Sequence, residues 1–328
     1  MSLPVIKYCP GTLAKGYRTY SRTCLNRVFK GRSVYHVLPY NAPAVDEKTD
    51  ELYFENQKHI SISGVQVKYS LLIEKNHLRL TKEGEQGTYI LKPIPSGVKI
   101  AGAMPANEHL TMQIARQVFD IETAENAMIF FKDGSPAYIT KRFDVDENEE
   151  KLAKEDFASL AGRTPQTHGD KYKYLGCYSE LFELLKKRLP AYKPTALKLY
   201  KLIVFNYLFS NGDAHLKNFS LIETPDGDFR LSPAYDLLNS QLHIDDSEFA
   251  LKDGLLPKQL AKGKVKEQFY LLAEKAGLSE KQTSEIFSDM HAGSEKVALL
   301  TKTSYLSENS KRTYLQAYQT RYKKLYRK

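Results

Sequence analysis

The stretch NGDAHLKNF, residues 211–219, gathers polar and ionisable side chains directly behind the apolar run LKLYKLIVFNYLFS. Asp213 and Asn218 form a D-x-x-x-x-N pattern. In phosphoryl transfer an Asp accepts the proton of the attacking hydroxyl, and an Asn five residues later turns back on the same loop to hold magnesium. After Asn218 come FSLIE, the turn TPDGD and FRLSPAYD, the pattern of a β-hairpin. A hairpin returns the chain to its origin, so Asp236 is expected close to Asn218. Together they offer the hard oxygen ligands that magnesium prefers. A plainer account fits the same residues. Asp213 after Asn211-Gly212 stabilises a turn, and Lys217 is a solvated loop residue. The loop by itself does not separate the two.

Two further groups lie upstream. Lys92 sits inside the strand-like TYILKP, where it is either a solvent-facing strand residue or the lysine that neutralises nucleotide phosphates. Glu108 is placed to hold that lysine, or else to face the positive end of its own helix. SISGVQVKYS, residues 61–70, contains Ser61, Ser63, Gly64 and Lys68. Amides beside a glycine can cradle phosphate, although an edge hairpin accounts for the same residues.

These groups need a scaffold. ISISGVQVKYSLLIEKNHLRL reads as β-structure from Ile60 to Leu80, with Lys75-Asn76 as a hairpin turn. TYILKP, AMIFF and AYITKRFD add short strands, and residues 107–119 place Leu110, Ile114, Val118 and Phe119 on one helical face. From Glu155 onward the pattern is mainly helical: EDFASLAG, SELFELLKKRL, LKLYKLIVFNYLFS, LPKQLAKG, VKEQFYLLAEKAG, SEKQTSEIFSDM and the last forty residues. The first fifty residues show little periodicity. A β-rich front and a helical back predict an α+β protein with two lobes. The expected boundaries are 1–142 for the N-lobe and 143–328 for the C-lobe.

Composition bounds the partners. The chain has 328 residues, and 48 Lys and Arg against 39 Asp and Glu give a net charge of +9, which favours anionic partners without choosing among them. RYKKLYRK closes an amphipathic helix with a solvated basic face; direct nucleic-acid contact is the lesser reading, and no nucleic-acid-binding motif is present. Three cysteines, Cys9, Cys24 and Cys177, suggest neither a disulfide framework nor zinc. No stretch approaches a membrane span, and the N-terminus lacks a signal-peptide core. A cytoplasmic protein is expected.

SISGVQVK, YILKP, NEHL, KRFD, SNGDAHLKNFS and LSPAYDLL occur in this order over residues 60–240. In that order they resemble the HipA-like serine/threonine kinases of bacterial toxin–antitoxin systems. The resemblance implies a bilobal protein-kinase-like fold that uses ATP and Mg2+. It implies Asp213 as catalytic base, Asn218 and Asp236 as magnesium ligands, His215 as a phosphate-side contact and Lys92 as the phosphate-binding lysine. Ser63, Gly64 and Lys68 fall on the phosphate loop. Lys141 and Phe143, flanking Arg142, fall between the lobes, where relatives bind adenine partly through backbone. Ser61 matches the serine that family kinases autophosphorylate, and Ser63 adds a second candidate. That modification expels the loop and silences the enzyme in the family. The S-I-S form is similar to that of short HipT-type kinases. Full-length relatives carry a further N-terminal subdomain that this chain is expected to lack, and a separate HipS-like protein supplies a similar piece in some systems. Implied partners are a HipB-like helix-turn-helix antitoxin, DNA only through it, and an aminoacyl-tRNA synthetase as target. GD-x-H-x-x-N also resembles the loop of aminoglycoside and choline kinases, and a nucleotide-binding pseudokinase is the third reading.

Overall fold

The structure, a computed structural model, describes residues 3–43, 67–245 and 247–327. Ser61, Ser63 and Gly64 of the expected phosphate loop lie outside the described residues. The chain divides into two compact units. The first comprises residues 1–113, 124–151 and 299–311, and the second residues 114–123, 152–298 and 312–328.

The first unit is built on a five-stranded antiparallel sheet. Helix α1, Arg22–Phe29, precedes it. The strands are β1, Tyr69–Glu74; β2, His77–Leu80; β3, Tyr89–Lys92; β4, Asn126–Phe130; and β5, Pro136–Lys141, in the order β2-β1-β3-β5-β4. Helix α2, Met104–Gln117, lies in sequence between β3 and β4. Lys75 and Asn76 turn β1 into β2 with φ of 47° and 67°, the left-handed pair that a two-residue hairpin turn requires.

Side chains alternate across a strand, and one face of this sheet carries the cluster that packs on α1. Tyr69, Leu71, Tyr89, Leu91, Ala127, Ile129, Ala137 and Ile139 share one cluster with Cys24, Val28 and Phe29 of α1. The N-terminal residues therefore cover a sheet face, although the sequence predicts no element there. Ser21 caps α1 by accepting the Cys24 N–H, and Lys30 ends it at φ 52°. Lys92, one residue on from Leu91, takes the other face.

The second unit is mainly helical. A strand opens it, where a helical pattern is expected: β6, Lys154–Asp156, pairs antiparallel with β7, Ser220–Glu223, which pairs with β8, Phe229–Leu231. The helices are α3, Ser179–Arg188; α4, Tyr192–Leu208; α5, Val265–Lys275; and α6, Glu280–Ala292. The chain then continues through α7, Ser294–Thr303, and α8, Glu308–Tyr326. The expected helix LPKQLAKG is instead a run of turns. Leu260 is 40% exposed, so the segment has no apolar face to bury as a helix, and Gly263 sits at φ 77°. Every residue from Leu202 to Leu208 of α4 is buried, which makes this helix the axis of the unit. Phe205 stacks on Phe209 at 4.3 Å, and Phe209 on Tyr318 of α8 at 5.0 Å. Among the described residues no helix is long and apolar enough to cross a membrane.

Candidate active site

The loop behind α4 is fastened before it reaches any ionisable residue. Asn211 donates its backbone N–H to Asn206 O at 2.9 Å and its Nδ2 to Asn206 Oδ1 at 2.8 Å. The chain reverses at Ser210 with φ 53°. The Ser240 hydroxyl then bridges the turn. It donates to Ser210 O and accepts the Gly212 N–H, both at 2.8 Å. The apolar helix thus presents a rigid end, and the polar cluster hangs from it.

Asp213 is partly exposed, and its Oδ1 accepts the Tyr174 hydroxyl at 2.7 Å. His215 Nε2 lies 3.9 Å from the same oxygen, beyond hydrogen-bond range. His215 is buried, and burial first, with the charge of Lys173, pushes its pKa down to about 3 against the pull of Asp236. Its imidazole is therefore neutral near pH 7. Its Nδ1 has no hydrogen-bond partner among the described residues.

Lys217 is no solvated loop residue. Its Nζ lies 2.6 Å from Asp156 Oδ2, and the other Asp156 oxygen accepts the Ser159 N–H. Burial works against the ammonium, but the bond to Asp156 and the contact with Tyr172 outweigh it and raise the Lys217 pKa.

Asn218 sits in the single 3-10 turn Leu216–Asn218, with its N–H on His215 O at 2.9 Å. Its side-chain Oδ1 is buried and has no hydrogen-bond partner among the described residues. The hairpin brings the second candidate ligand back. Tyr235 donates its hydroxyl to Lys217 O at 2.7 Å and shares a hydrogen bond with Ser220, so the neighbours of Asp236 and Asn218 are bonded to each other. Asp236 holds a left-handed φ of 55°. A buried amide oxygen without a donor, in a loop cross-linked to one bearing a carboxylate, fits a hard divalent cation. Among the described residues no cluster of three or more His, Cys, Asp or Glu could hold a metal. One Asn and one Asp suit magnesium, which keeps several water or phosphate oxygens in its own shell.

In the first unit, Lys92 Nζ lies 2.6 Å from Glu108 Oε1, with both side chains buried. The Lys92 ammonium also stands 5.3 Å from the Tyr138 ring centroid. Because α2 starts at Met104, Glu108 falls in the second turn and is a lysine partner rather than a first-turn dipole residue. Lys141 is half-buried, and burial with the nearby Lys30 charge lowers its pKa. The backbone N–H groups of Lys141 and Arg142 are already used by Glu125 O and Thr88 O. Any donor to a ligand from this segment must come from elsewhere on it. Arg142 forms a two-pronged bond to Asp144, and Phe143 is partly buried. Lys68 is partly buried just before β1.

The HipA-like C-terminal domain family matches residues 60–298, well over half of the chain. The chain belongs to this family. Its relatives include the Haemophilus influenzae protein named "Putative kinase", 28% identical over 193 residues that cover 56% of this chain and 54% of that protein. "Putative kinase Y4dM" of Sinorhizobium fredii is 32% identical over 256 residues, covering 74% of this chain and 59% of that one. This HipA-like chain thus spans little more than half the length of these curated relatives. Among solved structures it is similar to a chain of the Shewanella oneidensis MR-1 toxin–antitoxin complex of HipA, HipB and operator DNA. That TM-score is 0.60 at 20% identity, over 81% of this chain and 63% of that chain. The Helicobacter pylori proinflammatory kinase CtkA follows with a TM-score of 0.52 at 12% identity, over 77% and 90% of the two chains. These likenesses show the fold, a two-lobed α+β architecture of the protein-kinase type.

Sequence reasoning passed over several residues that build the HipA-like loop. Tyr174, Asp156, Tyr235 and Ser240 each bind it through a side chain from a distant segment. Asp156 carried a local signal, an N-cap Asp before the short helix Phe157–Leu160. The others carried none.

Proposed function

We propose that this chain is an ATP- and magnesium-dependent serine/threonine protein kinase, the toxin of a HipA-like toxin–antitoxin system. The observation that carries the reading is the unpaired, buried Asn218 Oδ1 in a loop cross-linked to the Asp236 segment. That loop also carries the partly exposed carboxylate of Asp213. In this reading Asp213 accepts the proton of the attacking hydroxyl. Asn218 and Asp236 hold magnesium, which when bound neutralises phosphate charge. His215, neutral by burial, meets phosphate as a hydrogen-bonding group rather than a cation. Lys92, fixed by Glu108, supplies positive charge to the nucleotide phosphates. Lys68, Lys141 and Phe143 line the nucleotide in the same reading.

Autophosphorylation of Ser61 or Ser63 would switch the enzyme off, since a phosphoserine brings about −1.5 to −2 charges into a pocket built for ATP phosphates. A HipB-like antitoxin, a small HipS-like protein and an aminoacyl-tRNA synthetase target complete the proposal. HipB and operator DNA accompany HipA in the Shewanella complex. The test is peptide mass spectrometry of wild type and Asp213→Ala after incubation with ATP and magnesium. Phosphate on Ser61 or Ser63 in wild type alone is the expected result. No phosphate on either protein, with ATP still bound, would overturn the protein-kinase reading in favour of a small-molecule phosphotransferase or a pseudokinase.

A further inference from the structure

A kinase base engages its acceptor through a hydrogen bond from the attacking hydroxyl to a carboxylate oxygen. At Asp213 that kind of bond is already made from within the chain. The Tyr174 hydroxyl donates to Oδ1 at 2.7 Å, inside the reach expected of a general base and its proton donor. The contact is also shaped. The Tyr174 ring meets His215 edge-on, with centroids 5.0 Å apart and planes at 80°.

The main chain under Tyr174 is held independently of Asp213. Tyr174 ends the 3-10 turn Tyr172–Tyr174, its N–H bonds Lys171 O at 2.9 Å, and its carbonyl accepts the Lys252 N–H at 2.8 Å. Two residues on, Gly176 O accepts the Asp253 N–H at 3.0 Å. Opening the Tyr174–Asp213 contact would therefore leave these backbone bonds intact. A bond to an Asp213 side chain that is 44% exposed is also not needed to satisfy a buried group.

We infer that Tyr174 occupies the acceptor-hydroxyl position at Asp213 Oδ1, where it engages that oxygen until a bound acceptor hydroxyl displaces it. The inference rests on Asp213 being the base. It makes Tyr174 a residue that selects the acceptor. A hydroxyl delivered by a docked substrate brings binding energy to the exchange, and water brings none.

The test measures ATP hydrolysis with magnesium and no added acceptor, for wild type, Tyr174→Phe and Tyr174→Leu. Both variants should hydrolyse ATP faster by on the order of tenfold, the factor that one charge-assisted hydrogen bond represents. Tyr174→Leu also removes the ring from His215 and serves as the second variant. A readout without nucleotide or metal accompanies it. The unfolding midpoints of Tyr174→Phe, Asp213→Asn and the double variant should be non-additive, as for two residues in direct contact. Equal or slower hydrolysis in both variants, with Ser61 or Ser63 still phosphorylated in wild type, would overturn the inference and leave the kinase reading intact. Additive midpoints would overturn it as well. No hydrolysis and no phosphorylation in any protein would overturn the kinase reading and this inference together.

Discussion

The Lys92 ammonium and the Glu108 carboxylate stand 2.6 Å apart with only 4% of either side chain exposed. Such a pair is weak evidence for stability, because desolvating both charges offsets most of their attraction. Removing one partner is different, since it strands the other charge. Glu108→Ala is expected to cost about 3–5 kcal/mol of folding stability, read by urea unfolding. The double variant Lys92→Met, Glu108→Leu should recover most of that loss without recovering ATP binding. A Glu108→Ala protein as stable as wild type would contradict the burial of this pair.

Asp156 has two roles that substitution can separate. One oxygen caps a short helix through the Ser159 N–H, and the other holds Lys217. Asn caps as well as Asp does, so Asp156→Asn keeps the cap and loses the charge. Asp156→Ala loses both, and its additional cost over Asn should be about 1 kcal/mol. Lys217 sets the pH behaviour. Its raised pKa means the folded state holds the proton more tightly than the unfolded chain does. That stabilisation is complete at neutral pH and disappears as pH rises through the folded-state value. The stability difference between wild type and Asp156→Asn should therefore narrow in strongly alkaline buffer.

His109 gives the opposite slope. It is fully buried, with Nε2 at 3.2 Å from Gly11 O, and burial lowers its pKa to about 4 despite that bond. Above pH 6.5 both states are neutral and the contribution is whole. As pH falls towards 4 the unfolded chain takes up a proton that the folded chain refuses, and stability falls by on the order of 3 kcal/mol. His36 and His215, also lowered by burial, act in the same direction. Unfolding free energies from pH 7.5 to 5 should decline for wild type and decline less for His109→Asn. Identical slopes would remove His109 from the account.

Ser240 joins two loops with one oxygen. Ser240→Ala removes a donor from Ser210 O and an acceptor from Gly212 N–H, both in buried surroundings. A loss of about 1–3 kcal/mol is expected. Because Asp213 follows directly, phosphorylation of Ser61 or Ser63 in the Ser240→Ala protein should slow more than its stability loss explains. Hydrogen exchange at the Gly212 amide gives a direct check, with faster exchange expected.

Much of this arrangement is legible in the sequence, and the illegible parts share a cause. Helix α4 declares itself because its apolar residues, dense from Leu199 to Leu208, need burial on most of the helix surface there. The hairpin declares itself through TPDGD, and with it the return of Asp236. Lys75-Asn76 marks its turn in the same local way. Helix α1 does not, since only Cys24, Val28 and Phe29 of its eight residues are buried. The strand face it covers comes from residues 69 to 139, far along the chain. Tyr174 lies in a charged segment that reads as surface, and its bond to Asp213 spans 39 residues. Lys92 was ambiguous for a related reason. Strand alternation says that Lys92 and Leu91 face opposite ways, but only the fold shows that α2 brings Glu108 to the Lys92 side.

The two reaction loops are cross-laced. Tyr235 and Ser240 both bind main-chain atoms of residues 210–217, and Asn211 binds the end of α4. Residues 206–240 therefore travel as a cassette. Grafting only 211–219 onto a related scaffold would import side chains without their rigging, whereas exchanging 206–240 whole would carry the Asn206, Tyr235 and Ser240 fastenings and leave those from Tyr174 and Asp156 to the host. Natural recombination that cut between residues 218 and 235 would face the same penalty.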